Sequence, residues 1–191
     1  MDNQRGFTLI ELFVVLTVFM LAMGTSVSIF ISVVQEQRRI LQEQELLSQT
    51  SYVSEYISRA LRMAVRDDVG GCIGAGKNYS LTHFDSGTGF YQGIKFLAHD
   101  NTCQEFFYDE EDQGIFKEKK GSNDPQNILS DKFQVVWARF IINGNKDLQQ
   151  SVKTDATQPR ISILLDIKTT GIKIQEKMVQ TTISQRNLNV P

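Results

Sequence analysis

The 191-residue sequence has few of the residues from which catalytic and metal sites are usually built, with only two cysteines and two histidines. Cys72 and Cys103 are too far apart for a CxxC motif, and His99 lies near Cys103 without a fourth ligand at a telling spacing. Neither His83 nor His99 accompanies a recognisable nucleophile signature. We therefore expect no enzymatic activity, no bound metal and no cofactor.

The sequence also lacks an excess of charge of one sign. Lysine and arginine number 20, aspartate and glutamate number 22, and the formal net charge is -2. No basic face stands out along the chain. Because proteins that bind nucleic acid neutralise its phosphates with lysine and arginine, we expect nucleic acid not to be a partner.

Proline is scarce, with three residues in the whole chain, and neither proline nor glycine occurs between Ser26 and Val69. Charge is almost absent near the N-terminus, where Glu11 is the only charged residue between Arg5 and Glu36. The apolar segment at residues 7–34 is longer than the roughly 20 helical residues that cross a bilayer core. It is therefore predicted to be a membrane-spanning helix.

Three ordinary interpretations of this segment compete. A cleaved secretory signal is disfavoured, because its apolar run is about 7–15 residues long and ends in a small-residue cleavage site that is missing here. A buried core helix is disfavoured, because a segment that is apolar on every face needs a larger domain around it. A generic signal anchor fits in length and position but has no use for Glu11. A charged side chain costs about 2.5–3.5 kcal/mol at the centre of a membrane helix, and somewhat less near its end, so Glu11 indicates a function.

The stretch RGFTLIEL at residues 5–12 resembles the processing motif of type IV prepilins and type II secretion pseudopilins. The resemblance implies a leader peptide at residues 1–6, recognised through Arg5 and Gly6. It implies that a prepilin peptidase/N-methyltransferase cuts between Gly6 and Phe7 and methylates the new amine of Phe7.

The resemblance also gives Glu11 a partner, the N-terminal amine of a neighbouring subunit. It implies assembly with other pilins or pseudopilins on an inner-membrane platform, and contact with the lipid bilayer before assembly. The chain would cross the inner membrane once with its head outside the cytoplasm, and would then enter an extracellular pilus or a periplasmic pseudopilus. Because the segment lacks proline, Gly24 is the position at which we expect the helix to bend most easily.

Residues 35–66 are predicted to continue the same helix as an amphipathic half that packs on the head, and Asp67–Gly71 to end it. The apolar residues of this half recur at spacings of three, four and seven: Leu46, Val53, Ile57, Ala60, Leu61 and Ala64.

Residues 67–191 are predicted to form a β-rich globular head. Strand-like patterns occur at six places: Gly93–Ala98, Gln104–Tyr108, Ile115–Lys119, Phe133–Ile142, Ile161–Thr169 and Lys173–Ser184. The predicted fold class is α+β, a pilin-like fold with a long N-terminal helix, half transmembrane and half packed, and an antiparallel sheet. Asn145–Gln158 is polar and predicted to be a loop.

Residues 52–64, 133–140 and 181–187 are similar to minor pilins of the PilW type and to J-type pseudopilins. This similarity implies a structural minor subunit of a type IV pilus or a type II secretion pseudopilus. The alternative is a filament-tip binding module, for adhesion or DNA uptake, on the same membrane-anchored scaffold.

Cys72 and Cys103 lie outside the membrane segment, in a domain that the resemblance places in an oxidising space. A disulfide between them would stabilise the fold by roughly 3–4 kcal/mol, and two unpaired thiols are the alternative. The acidic run at residues 109–112 is interpreted as a solvated turn, because it lacks the spacing of an EF-hand.

Overall fold

The computed structural model describes residues 8–110, 112, 114–144, 158–170 and 174–186. The predicted processing residues Arg5, Gly6 and Phe7 lie outside this described part. So does most of the predicted loop Asn145–Gln158. By its internal contacts the chain divides into two compact units, Met1–Gln44 and Glu45–Pro191.

One long helix, α1, covers Leu9–Arg62. The helix contains no proline and only one internal glycine, Gly24, so its backbone hydrogen bonds continue without a break. The predicted end at Arg66 is too late. The N–H of Val65 donates to the carbonyl of Leu97 at 2.9 Å instead of continuing the helix.

The Leu9–Val34 part of α1 carries apolar side chains on every side, with Glu11 as its one charged residue, and its large side chains are exposed. Its hydroxyl groups bond to carbonyls of the same helix: Thr17 to Val14, Thr25 and Ser26 to Ala22, Ser28 to Gly24, and Ser32 to Ser28, at 2.8–3.1 Å. Each hydroxyl is therefore satisfied without water, as a helix in hydrocarbon requires.

The second unit contains an eight-stranded sheet whose neighbouring strands all pair antiparallel. The strands are β1 Tyr79–Asp85, β2 Phe90–Leu97, β3 Cys103–Asp109, β4 Ile115–Lys120, β5 Gln126–Asn127, β6 Phe133–Asn143, β7 Arg160–Thr169 and β8 Glu176–Ser184. The order is β5-β4-β3-β2-β6-β7-β8, with β1 paired to β2 outside this path. The predicted α+β class is confirmed.

The core lies between one face of the sheet and the C-terminal half of α1. Leu46, Val53, Ile57 and Leu61, four of the residues predicted for the packed face, are at most 2% exposed. Across from the helix, the sheet contributes the largest fully buried side chains, which include Tyr79, Phe96, Phe106, Phe116 and Phe140. The spacing of Leu46, Val53, Ile57 and Leu61 along α1 places them on one side of the helix, and this explains why this half of the helix is amphipathic.

Candidate functional site

Glu11 lies in the first turn of α1, three residues after Thr8. The N–H of Glu11 donates to the Thr8 carbonyl at 3.1 Å and approaches the Thr8 hydroxyl oxygen at 3.4 Å. Thr8 thus occupies the N-cap position, whose side chain accepts a hydrogen bond from an otherwise unpaired N–H of the first turn. The sequence interpretation missed this role, although a threonine three residues before a glutamate is a recognisable helix-start signal.

The apolar part of α1 presents its side chains outward without a partner in the described chain. Leu9 is 81% exposed, Phe13 67% and Phe30 69%. Among the described residues, α1 alone is long and apolar enough to cross a membrane. Glu11 is also exposed and is the single charged residue of Leu9–Val34. One carboxylate therefore interrupts a surface suited to lipid or to other apolar helices.

A second group of residues shapes the loop that follows α1. The Asp67 carboxylate accepts four backbone N–H groups: Gly70 at 2.7 Å and Gly71 at 3.3 Å on Oδ1, Cys72 at 2.8 Å and Ile73 at 2.9 Å on Oδ2. The bonds from Ile73 and Cys72, followed by those from Gly70 and Gly71, hold the pKa of the Asp67 carboxyl below its usual value against the opposing effect of desolvation.

The same loop is tied to the sheet by a disulfide between Cys72 and Cys103, whose Cα atoms are 5.5 Å apart. Cys103 begins β3, and the Cys72 Sγ also contacts the carbonyl of Phe96 on β2 at 3.4 Å. The disulfide predicted from the sequence is therefore present. It joins the loop after α1 to the start of a central strand.

Polar groups also join the helix to the sheet. The Tyr56 hydroxyl lies 2.9 Å from both carboxylate oxygens of Glu118, and the Lys120 ammonium donates to it at 3.0 Å. Gln104 donates to the same Glu118 carboxylate. At the end of α1, the Gln185 side chain donates to the Ala64 carbonyl at 3.0 Å. These hydrogen bonds hold the helix on the sheet, and we interpret their role as structural.

No constellation typical of catalysis accompanies these features in the part of the chain that the structure describes. Within that part, no group of three or more His, Cys, Asp or Glu side chains is placed to hold a metal ion. His99 and Cys103, which the sequence places near each other, do not form such a group; Cys103 is in the disulfide.

Residues 1–27 match the family model described as the prokaryotic N-terminal methylation motif. No curated protein and no solved structure shows a significant match to the chain. The motif at the start of a long apolar helix, followed by an antiparallel sheet, is the arrangement typical of type IV prepilin-like proteins and supports that interpretation. Proteins with this motif are structural subunits, and the one apolar helix of the described residues fits a membrane-anchored pilin. The motif implies processing by a prepilin peptidase and assembly with other pilins.

Proposed function

We propose that the chain is a minor structural subunit of a type IV pilus or a type II secretion pseudopilus. The prepilin peptidase cuts between Gly6 and Phe7, with Arg5 and Gly6 recognised in the leader, and the amine of Phe7 is then methylated. The processed helix leaves the bilayer and enters the core of a filament. The match of residues 1–27 to the methylation motif supports these steps.

The observation that carries the proposal is the position of Glu11. It is the only charge in an exposed apolar stretch of 26 residues, Leu9–Val34, and lies in the first helical turn, four residues from the proposed new N-terminus. In an apolar filament core, an unpaired carboxylate or ammonium would cost several kcal/mol. A pair between Glu11 of one subunit and the Phe7 amine of the next removes that cost only when the subunits are in register.

The Cys72–Cys103 disulfide supports a head that lies outside the cytoplasm. Disulfides persist in the periplasm and at the cell surface and are rare in the reducing cytosol. With α1 as the one helix of the described residues that could cross a membrane, the leader would then remain on the cytoplasmic side. This is the orientation in which the peptidase reaches the Gly6–Phe7 bond in our proposal.

Processing is tested by the N-terminal mass of the protein isolated from cells of its natural host. We expect a chain that begins at Phe7 and carries one methyl group on its amine. An intact Met1, or a chain that is not cut after Gly6, would contradict the proposal. A Gly6→Ala variant is the matched control and is expected to accumulate uncut.

The assembly role is tested by the substitution Glu11→Ala, with Glu36→Ala as the control for loss of a carboxylate elsewhere on α1. We expect Glu11→Ala to be processed but to be lost from sheared filaments or purified pseudopili by more than about tenfold, since an uncompensated buried charge costs at least 1.4 kcal/mol. Glu36→Ala is expected to be incorporated normally. Normal incorporation of Glu11→Ala would refute the assembly role.

A further inference from the structure

A cleft of about 560 Å³ lies beside the β1–β2 hairpin of the head, and we name it the hairpin cleft. Its lining combines aromatic rings with oxygen-bearing polar side chains, which come from β1, β2, β3 and the segments that directly follow β1 and β3. Sites for small organic ligands have volumes of about 300–1,000 Å³ and the same combination of apolar surface and a few polar groups. The hairpin cleft therefore has the size and the composition of a ligand site.

Two exposed rings, which we name the aromatic platform, border the hairpin cleft. The ring of Phe84, which lines the cleft, is 58% exposed and lies next to the ring of Tyr91, with centroids 4.9 Å apart. Phe84 and Tyr91 are cross-strand partners in the β1–β2 pair, so the backbone register keeps the two rings together. The platform therefore offers a fixed apolar surface to a ligand in the cleft.

Another part of the lining is built around His83, whose φ of 54° is a left-handed conformation that is uncommon for a residue with a side chain. Its ring stacks on Phe107 of β3 with centroids 4.6 Å apart, and its Nε2 lies 3.4 Å from a carboxylate oxygen of Glu105. A Cβ at Gly93 of the intervening strand β2 would meet the His83 ring at 2.8 Å, so β2 lacks a side chain where this ring crosses it. Backbone strain that is held in place by its surroundings is concentrated at functional sites.

The Asp85 carboxylate of the cleft is already engaged within the chain. It accepts the Thr88 hydroxyl at 2.6 Å and the Gly87 N–H at 2.8 Å, and the amide of Gln92 approaches it at 3.4 Å. The Thr88 and Gly87 hydrogen bonds, together with the positive charge of Arg139, hold the pKa of the Asp85 carboxyl below its usual value against desolvation. Asp85 is therefore ionised and fixed in position, and its charge is partly balanced by its own surroundings.

The other carboxylates around the cleft do not favour a charged ligand. Asp109 pairs with Lys117 at 2.9 Å, and the same ammonium pairs with Asp112 at 2.7 Å. Glu110 is the cleft carboxylate for which the described residues supply no ion pair. A cationic ligand would find this one free carboxylate, while an anionic ligand would be repelled by it and by Asp85. An ionised carboxylate has about four acceptor positions, so even the engaged groups can accept hydrogen bonds from hydroxyl groups.

We propose that the hairpin cleft binds an uncharged oligosaccharide. A sugar ring has apolar C–H faces and a rim of hydroxyl groups, and the cleft offers a matching surface to each. One C–H face packs on the aromatic platform, while the hydroxyls donate to the carboxylates of Asp85 and Glu110 and to the side-chain carbonyl of Gln92. The inference goes beyond the proposed filament function and does not depend on processing or assembly of the chain.

The first experiment measures binding by titration calorimetry to the full chain in nanodiscs of phosphatidylethanolamine and phosphatidylglycerol, because detergents with sugar headgroups would compete. The probes are cellotetraose, maltotetraose and tetra-N-acetylchitotetraose, with tetragalacturonate and tetralysine as the charged comparisons. We expect at least one uncharged probe to bind with a Kd below about 1 mM and more tightly than either charged probe. Failure of all three uncharged probes to bind, or tighter binding of a charged probe, would overturn the proposal.

The second experiment locates the site with the uncharged probe that binds most tightly. Phe84→Ala is expected to weaken its binding by about fivefold or more, because the platform loses the ring that lines the cleft. Tyr52→Ala is the matched control, since Tyr52 is equally exposed, at 58%, but lies on α1, and it should bind like wild type. Each variant is first shown to keep its disulfide and its melting temperature. Equal affinities of the two variants would overturn the assignment to the hairpin cleft.

The third experiment separates hydrogen bonding from charge recognition at Glu110. Glu110→Ala is expected to weaken binding of the same probe by about threefold, because one acceptor for a sugar hydroxyl is lost. Glu110→Gln keeps a carbonyl oxygen without the charge and should bind within about twofold of wild type. Equal losses in the two variants would show that the charge is what the ligand recognises and would overturn the assignment to an uncharged sugar.

Discussion

The Asp67 carboxylate and the Cys72 backbone are joined by a 2.8 Å hydrogen bond, so one buried acid organises the loop that carries the disulfide. Gly70, with φ of 82°, allows the loop to turn its N–H groups toward that acid. The loop is therefore fixed on one side by hydrogen bonds and on the other by a covalent bond to β3.

Substitution Asp67→Asn is predicted to destabilise the head at neutral pH, because one of the two acceptor oxygens becomes an amide that faces N–H donors. The lowered pKa of Asp67 means that its contribution is present above the ordinary value of 3.8 and is lost as the pH falls through the folded-state pKa. Melting curves should therefore differ between wild type and variant at pH 7 and converge in acid. Asp124→Asn is the control and should melt like wild type, because Asp124 is exposed. A difference independent of pH would contradict the assigned role.

Removal of the disulfide with the pair Cys72→Ser and Cys103→Ser is predicted to lower the free energy of unfolding by roughly 3–4 kcal/mol. The bridge closes a loop with a sequence separation of 31, and the estimate is the chain entropy that the unfolded protein regains. Urea unfolding of the detergent-solubilised chain measures the loss. The wild-type protein with added reductant should behave like the double variant, and equal stability with and without reductant would contradict the prediction.

The substitution Tyr56→Phe is predicted to cost about 1–2 kcal/mol of stability. It removes a hydroxyl that lies 2.9 Å from the Glu118 oxygens and 3.0 Å from the Lys120 ammonium, and leaves those charged groups with one partner fewer. Tyr52→Phe removes a hydroxyl from the stacked neighbouring ring, which is 58% exposed, and is expected to change stability by less than about 0.5 kcal/mol. Equal effects of the two substitutions would show that the network does not contribute.

The substitution Gly93→Ala is predicted to destabilise the head by about 1–3 kcal/mol through overpacking. A Cβ at this position would lie 2.5 Å from the Thr82 hydroxyl oxygen and 3.0 Å from Phe107 Cβ, inside a central strand that cannot move aside easily. At Gly71 a Cβ would have no atom within 4 Å, so Gly71→Ala is the matched control and should be close to neutral. Thermal unfolding of both variants tests the predicted difference in stability. Equal melting temperatures would show that the sheet relaxes around the added methyl group and would contradict the prediction.

The sequence predicted the main elements where a local pattern was continuous. The apolar run predicted α1, and alternation predicted β3, β4, β6 and β7. It missed β1, Tyr79–Asp85, because the left-handed conformation of His83 breaks the alternation there. It also missed the two-residue strand β5, which is too short to carry a pattern.

The end of α1 depends on contacts that no local pattern contains. The carbonyls of Leu61 and Ala64 are taken by the hydroxyl of Tyr79 and the amide of Gln185, from strands far along the sequence. Arg62 and Arg186 are likewise brought together only by the sheet. By contrast, the motif at residues 5–12 is contiguous, and for that reason it could be interpreted from the sequence alone.

Asp166 on β7 is buried beside a second acid, Glu176 on β8. Desolvation, together with a hydrogen bond to Glu176 and repulsion by its charge, raises the pKa of Asp166 to about 6, and among the described residues its Oδ1 has no hydrogen-bond partner. Lys168, which lies opposite Glu176 in the strand register, is the nearby cation of β7. A raised carboxyl pKa means that the folded state holds the proton more tightly, so stability decreases as the pH rises from about 4 to about 6.

The substitution Asp166→Asn should therefore stabilise the head at pH 8, by at most about 3 kcal/mol, because the amide stays neutral and can donate to Glu176 as the protonated acid does. Near pH 4, where wild-type Asp166 is protonated in the folded head, the two proteins should unfold at similar urea concentrations. Asp124→Asn, at an exposed position, is the control and should not alter the pH profile. A gain for Asp166→Asn that is equal at pH 4 and pH 8 would assign the effect to packing and not to ionisation of the carboxyl group.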